Sequence, residues 1–234
     1  MKRKDMPYFI TVGIFGSGLP ALLYAIGQQH VSSSIAGLLN SLTPLFTLLL
    51  GILFFQTQVQ NNKIVGVFIG LLGALLLVFF GQPVGDNNNY FYAGLLVVAA
   101  GCYALSLNTV GRFLNTYGAI TISSIAFGLV TIPALLILFS TNFVEVMQEN
   151  KNAYSSLAAV SVLSLLGTFA ANILFYKLVQ ITNPLFSSMV SYIIPVVAIG
   201  WGFVDGELIT IYHLIGFILI LMGVYLSKTK KKKF

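Results

Sequence analysis

Eight apolar segments without a single Asp, Glu, Lys or Arg constrain this sequence more than any other feature. A run of roughly 20 apolar residues forms a helix long enough to cross the hydrocarbon core of a bilayer. Helices are required there, because the bilayer core holds no water to pair with backbone polar groups. The predicted spans are Pro7–Ile26, Ser34–Phe55, Ile64–Phe80, Tyr90–Val110, Ala119–Phe139, Leu157–Tyr176, Leu185–Val204 and Ile209–Leu226. The pattern therefore predicts an all-α fold, a polytopic transmembrane bundle of eight spans.

Composition supports the same fold class. Charged residues make up only 8% of the 234 residues, and hydrophobic residues make up 57%. A soluble domain carries about a quarter charged residues, so most of this surface must face the lipid bilayer rather than water. The longest predicted connection, Ser140–Ser156, is too short to hold a soluble domain.

Basic residues orient the predicted bundle. Five lysines lie within the last seven residues, and Lys2, Arg3 and Lys4 lie at the start. If the N-terminus is cytoplasmic and the spans alternate, eleven of the twelve basic residues fall inside and only Lys151 falls outside. This agrees with the positive-inside rule and predicts a multi-pass protein of the cell (inner) membrane with both termini cytoplasmic. Nucleic acid is not expected as a partner, because no folded basic domain presents the lysines.

Two parts of the chain share a pattern. Pro44 and Pro195 each lie in the middle of a span, after a small polar cluster. At an offset of 150 residues, the matching glycines are Gly66 with Gly216 and Gly73 with Gly223. In the predicted topology the two proline spans run in opposite directions, so the repeats are inverted. Inverted repeats with interrupted helices are typical of alternating-access transporters, although two proline-containing apolar helices can also look alike by chance.

The C-terminal repeat carries a recognisable order of motifs. The segment 194–198 (IPVVA) is followed by Asp205-Gly206-Glu207 and then by a glycine-containing closing helix. This order resembles the C-terminal end of the EamA family of the drug/metabolite transporter superfamily. The first repeat departs from the family pattern, since Gln56-Thr57 stands where Gly-Glu is expected. That departure argues against an essential glutamate in the first half.

The resemblance implies a domain organisation. Family members have ten spans in two five-helix halves with both ends cytoplasmic. Residues 1–81 would form an N-terminal repeat of three spans, residues 90–228 a complete repeat of five, and residues 229–234 a basic tail. The first two of the ten family helices are therefore expected to be missing. The resemblance also implies export of amino acids or related small metabolites.

Enzymatic chemistry finds little support in the sequence. There are two histidines and one cysteine, and no metal-binding pair, phosphate loop or carboxylate pair lies within the predicted spans. We therefore expect no enzyme activity, no cofactor and no metal. The alternatives are an accessory membrane protein or an inactive truncated transporter, and, with less support, an intramembrane enzyme. A homo-oligomer is left open.

Uncharged polar residues inside the spans are the candidates for substrate contact, because they cost free energy unless they face a cavity or another helix. The predicted substrate-binding residues are Tyr24, Asn40, Tyr103, Asn172, Ser191 and Tyr192. The alternative is hydrogen bonding between helices, which we favour for Asn108. Because the spans contain no charge, the expected substrate is a zwitterionic or neutral small molecule.

Three further residues are candidates for gating or coupling. Pro44 and Pro195 each interrupt a helical ladder and free a carbonyl one turn earlier, which either faces substrate or marks only a packing kink. Glu207 lies at a predicted helix mouth, where it either couples transport to protons or is a solvated loop carboxylate; His213 is its only nearby titratable partner.

Overall fold

The computed structural model describes residues 3–31, 33–81, 90–150, 152–194, 197 and 211–227. These residues form helices and turns and no strand, which confirms the predicted all-α bundle. The helices are α1 (Arg3–Gly27), α2 (Ser33–Asn40), α3 (Thr43–Leu53), α4 (Asn61–Gly81), α5 (Tyr90–Phe113), α6 (Ala119–Phe139), α7 (Phe143–Glu149), α8 (Ala153–Ile181), α9 (Pro184–Ser188, continued by a 3₁₀ turn over Met189–Tyr192) and α10 (Ile211–Ser227). Pro195 and Glu207 lie outside the described residues.

Four helices, α1, α5, α6 and α8, are long and apolar enough to cross a membrane by length and composition. Shorter apolar helices complete the bundle. Large apolar side chains cover its outside; Leu136 on α6 and Leu163 on α8 are 70% and 66% exposed. A continuous apolar surface of this kind is unfavourable in water, and it fits a multi-pass membrane protein whose outer face meets lipid.

Among the described residues, the helix boundaries lie within a few residues of the predicted spans, apart from three differences. Helix α6 has the predicted bounds, whereas α8 runs beyond the predicted Leu157–Tyr176 at both ends. It ends just before Pro184, which disfavours helical geometry in the residue that precedes it. The predicted connection 140–156 also contains a short helix of its own, α7.

The second predicted span is broken in two. Helix α2 ends at Asn40, and Pro44 lies in the first turn of α3, a position where the missing N–H of proline costs nothing. The backbone carbonyl of Asn40, which Pro44 cannot bond, accepts a hydrogen bond of 2.7 Å from the Thr43 hydroxyl. This carbonyl therefore has one partner within the chain, and its contact with substrate stays a prediction.

Helices α4 and α10 pack through their glycines. A Cβ atom at Gly73 would lie 2.7 Å from the carbonyl oxygen of Gly216, and one at Gly223 would lie 2.6 Å from that of Gly66. Close approach through small residues is how membrane helices gain packing energy. The early residue of α4 meets the late residue of α10, so the helices are antiparallel.

These glycine contacts also have a symmetry. At the repeat offset of 150 residues, Gly66 corresponds to Gly216 and Gly73 corresponds to Gly223. The offset thus converts the contact between Gly66 and Gly223 into the contact between Gly216 and Gly73. A two-fold relation between oppositely oriented units produces this exchange, which agrees with the predicted inverted repeats.

Helix α5 is the central packing element, with contacts to α1, α2, α3, α8 and α9. Its residue Asn108 is buried and donates hydrogen bonds to the carbonyl oxygens of Thr47, at 3.1 Å, and Ala104, at 3.0 Å. Since Thr47 belongs to α3, this side chain ties two helices together. The interpretation of Asn108 as a packing residue is confirmed.

Candidate functional site

A cavity of about 760 Å³ lies between α1, α2, α5, α8 and α9. It takes residues from both predicted repeats, since α1 and α2 belong to the first and α8 and α9 to the second. The polar residues that line it are Tyr24, Gln28, Asn40, Thr43, Tyr103, Ser106, Asn172, Tyr176, Ser188 and Ser191. No Asp, Glu, Lys or Arg occurs among the lining residues that the structure describes, so the cavity is polar but uncharged.

Five of the six predicted substrate-binding residues line this cavity: Tyr24, Asn40, Tyr103, Asn172 and Ser191. They come from five helices, α1, α2, α5, α8 and α9 with its 3₁₀ turn. The structure thus brings these five residues to one cavity. Their contact with a substrate stays a prediction.

Tyr192, the sixth, does not line this cavity. Its side chain is fully buried, and its hydroxyl donates a 2.8 Å hydrogen bond to the carbonyl oxygen of Val67 on α4. The ring occupies the space beside Gly70, where an added Cβ would come within 2.5 Å of it. Consecutive residues of a 3₁₀ turn point about 120° apart, so Ser191 and Tyr192 face different sides. Through these contacts with α4, Tyr192 links the second repeat to the first.

On the first-repeat side, a hydrogen bond fixes the polar wall. The Tyr24 hydroxyl donates to Oδ1 of Asn40 over 3.0 Å and thereby joins α1 to the end of α2, next to the helix break. The ring of Tyr24 lies 6.2 Å from that of Tyr103, measured between centroids. The two rings and the amide present hydrogen-bonding groups and aromatic faces to the same space.

On the second-repeat side, Asn172 follows an irregular stretch of α8. Residues Leu163–Ala170 form a π-helix, and the Asn172 side-chain amide donates a 2.9 Å hydrogen bond to the carbonyl oxygen of Thr168. Segments of π-helix occur frequently at functional sites. Asn172 therefore lies in the first turn after the stretch where the backbone of α8 departs from regular geometry.

A second π-helical segment, Ile14–Gly18, lies in α1. The offset of 151 residues that relates Pro44 to Pro195 also relates Gly16 to Gly167, and both glycines line the cavity. The two repeats thus carry the same irregularity at matching positions on either side of the cavity. These segments were not predicted from the sequence, although the matched glycines, Gly16 and Gly167, were a signal for them.

Two further hydroxyl groups at this cavity, and a third beside them, were not predicted as site residues. Ser106 and Tyr176 line it and are almost completely buried, and Ser17 lies in the π-helical segment of α1. A serine in a membrane helix usually bonds to its own backbone. Only the packing of three helices shows that these hydroxyls differ from such serines, and the sequence does not record that packing.

A multi-pass helical bundle around an uncharged polar cavity has the architecture of a membrane transporter. Residues 1–79 and 91–229 match the EamA-like transporter family, and the chain belongs to this family. The family resemblance inferred from the C-terminal motifs, with its place in the drug/metabolite transporter superfamily, is therefore confirmed.

Relatives along nearly the whole chain are transporters by name. An "Uncharacterized transporter" of Archaeoglobus fulgidus is 28% identical over 233 residues, which are 99% of this chain and 80% of the relative. The "Uncharacterized transporter YdfC" of Bacillus subtilis is 29% identical over 237 residues, which are 98% of this chain and 74% of the relative. A solved crystal structure aligns with a TM-score of 0.66 at 18% identity, over 96% of this chain and 77% of that one. This last likeness shows the fold alone.

Proposed function

We propose that this transporter exports small zwitterionic or neutral metabolites, such as amino acids, by alternating access. The main support is the cavity, whose described lining is rich in hydroxyl and amide groups and contains no charged side chain. A permanently charged solute in a low-dielectric cavity usually requires a fixed countercharge. A solute with no net charge needs hydrogen-bonding partners instead, and this cavity provides them.

Alternating access is supported by the relation between the two repeats. The cavity lies between them, and their glycine contacts at the α4/α10 interface exchange under the repeat offset. Two similar units of opposite orientation can exchange conformations and so open the same site to either side of the membrane. The matched π-helical segments place an irregular backbone at the cavity in both units.

The amide groups at the cavity give the sharpest test of this proposal. We expect Asn40→Ala and Asn172→Ala each to weaken solute transport about tenfold, since a lost hydrogen bond is worth about 1 kcal/mol or slightly more. The measurement is counterflow of radiolabelled amino acids in proteoliposomes that contain the full chain. If both variants are present in parental amounts and transport with the parental rate and affinity, the site assignment is wrong.

A matched control is Asn108→Ala, which removes a buried amide that is not among the lining residues of this cavity. Since Asn108 bonds α5 to α3, we expect this variant to lower the melting temperature. Its apparent affinity for solute should stay at the parental value.

The orientation is a separate prediction, tested by cysteine labelling. With the single native cysteine removed by Cys102→Ser, we expect a cysteine introduced by Glu149→Cys to react with a membrane-impermeant reagent on intact cells. Glu149 is the last residue of α7, and the positive-inside rule predicts that this connection lies outside. Labelling that requires permeabilised cells would reverse the proposed topology.

A further inference from the structure

A hydrogen bond joins the two predicted repeats at the membrane face where α1 begins. The hydroxyl of Tyr117, in the connection between α5 and α6, donates over 2.6 Å to Oδ2 of Asp5 at the start of α1. The side-chain amide of Gln180, near the end of α8, donates over 2.6 Å to the backbone carbonyl oxygen of Tyr117. Of these three residues only Asp5 belongs to the first repeat, so its bond to Tyr117 crosses the repeat boundary.

This bond uses the one acidic residue that is predicted on its side of the membrane. Of the six acidic residues in the sequence, five fall in connections predicted outside and only Asp5 falls inside. Asp5 and Tyr117 are both half-buried, so bulk water competes with their bond only in part. A hydrogen bond that a carboxylate accepts is also stronger than one between neutral groups. The Asp5–Tyr117 bond can therefore bias the position of α1.

Apolar side chains close the space between this bond and the cavity. Asp5 and the cavity residue Gly16 lie on the same helix, roughly 16 Å apart along its axis. Phe9 lies between them, is 0% exposed, and packs in one apolar cluster with Leu107, which lines the cavity. The ring of Phe9 also meets that of Tyr117 edge-on, with 5.2 Å between centroids. The cluster thus begins at the cavity and ends next to the bond.

Alternating access gives this closed contact a role. Two repeats of opposite orientation must separate at one membrane face when the cavity opens to that face. The closed part of α1 is followed directly by the π-helical segment Ile14–Gly18, and helices kink at such segments. The first part of α1 therefore has a place at which it can bend away from the second repeat.

We propose that the Asp5–Tyr117 bond is the latch of an inner gate, which holds α1 against the second repeat and keeps the cavity closed to the cytoplasm. This inference rests on the proposed alternating access and adds the residues that stabilise one of its two states. A contact with only a structural role is the alternative. Such a contact would stabilise both states equally and leave the ratio between them unchanged.

The test measures that ratio with a cysteine introduced by Ala171→Cys on the cavity wall, in the Cys102→Ser background. An impermeant thiol reagent is added to right-side-out or inside-out vesicles that contain the full chain, and the labelling rates from the two faces are compared. Tyr117→Phe removes only the donor, and Asp5→Ala removes the acceptor. We expect each to shift the ratio of rates toward the cytoplasmic face about tenfold, the value of a hydrogen bond to a charged group.

Further variants assign the shift to the bond itself. Asp5→Ala/Tyr117→Phe should shift the ratio no further than either single variant, because both remove the same bond. Asp5→Asn keeps an acceptor without the charge and should shift the ratio less than Asp5→Ala. Thr11→Val is the matched control, since it removes a hydroxyl of α1 that donates within the helix, to the carbonyl oxygen of Pro7. It should leave the ratio at the parental value.

A ratio that stays parental in both single variants overturns the latch, even if their melting temperatures fall. A shift of equal size in Thr11→Val overturns it as well. The proposed alternating access stands in these cases if Ala171→Cys in the otherwise parental chain reacts from both faces. It fails together with the latch if Ala171→Cys reacts from one face only, in the parental chain and in every variant.

Discussion

Gly223→Ala is expected to destabilise the protein by about 1–3 kcal/mol, the usual cost of inserting a methyl group into a filled interface. The new methyl group would lie 2.6 Å from the carbonyl oxygen of Gly66 and 2.6 Å from the backbone nitrogen of Gly70. Both are backbone atoms, so no side chain can rotate to make room. Helices α4 and α10 would have to separate and lose their contact at the repeat interface.

The measurement is the melting temperature of the purified protein in detergent. Gly101→Ala is the control, since a Cβ atom at Gly101 on α5 has no neighbour within 4 Å. Alanine is the better helix former by up to about 1 kcal/mol, so this variant should melt at or slightly above the parental temperature. If Gly223→Ala melts at the same temperature as Gly101→Ala, the glycine interface does not hold the two repeats together.

Gly16→Ala is expected to have the second large effect, because its methyl group would meet the buried hydroxyls of Ser106 and Tyr176 at the cavity. It would overlap the Ser106 hydroxyl and crowd that of Tyr176, at a cost of about 1–3 kcal/mol. We expect a lower melting temperature and loss of most solute transport. Gly94→Ala, on α5 with open space around its Cβ position, should change neither.

A double variant separates steric overlap from other causes. Ser106→Ala removes the oxygen that the new methyl group meets, so Gly16→Ala/Ser106→Ala should regain part of the lost stability. Transport should remain weak, since the double variant lacks the Ser106 hydroxyl that lines the cavity. If Gly16→Ala keeps both the parental melting temperature and the parental transport rate, the crowding at this cavity does not exist in the membrane.

The spans could be predicted from the sequence because the bilayer allows few solutions. The absence of charge over about 20 residues identifies a crossing helix with little ambiguity, and α6 accordingly has the predicted bounds. The glycine pairs were also visible, since small residues at matched spacing are the signature of close helix contacts. The absence of charge and the glycine spacing are both properties of a single helix. Neither depends on how one helix is rotated relative to its neighbours.

The details of the cavity depend on such rotations, and there the prediction was less complete. Tyr192 was predicted at the cavity with its neighbour Ser191, but the 3₁₀ turn directs it onto α4. The π-helical segments change the register of the residues that follow them, and no apolar pattern records that change. The proximity of the Ser106 and Tyr176 hydroxyls could not be predicted from the sequence, because it depends on how three helices pack together.

Pro44 shows how local chemistry alters a sequence-based inference. A proline inside an apolar span predicts a free carbonyl one turn earlier. The adjacent Thr43 hydroxyl bonds to that carbonyl over 2.7 Å, so the helix break is stabilised within the chain. The roles of Pro195 and Glu207, which lie outside the described residues, stay predictions.

Access to one cavity from both sides of the membrane is the central claim, and cysteine accessibility tests it without knowledge of the solute. In the Cys102→Ser background, Ala171→Cys places a thiol on the cavity wall of α8. Ala104→Cys, at a fully buried position on α5, serves as the unreactive control. An impermeant thiol reagent is added to right-side-out and to inside-out vesicles, and the labelled fraction is followed over time. We predict that Ala171→Cys reacts from both sides and that Ala104→Cys reacts from neither; reaction of Ala171→Cys from one side only would contradict alternating access.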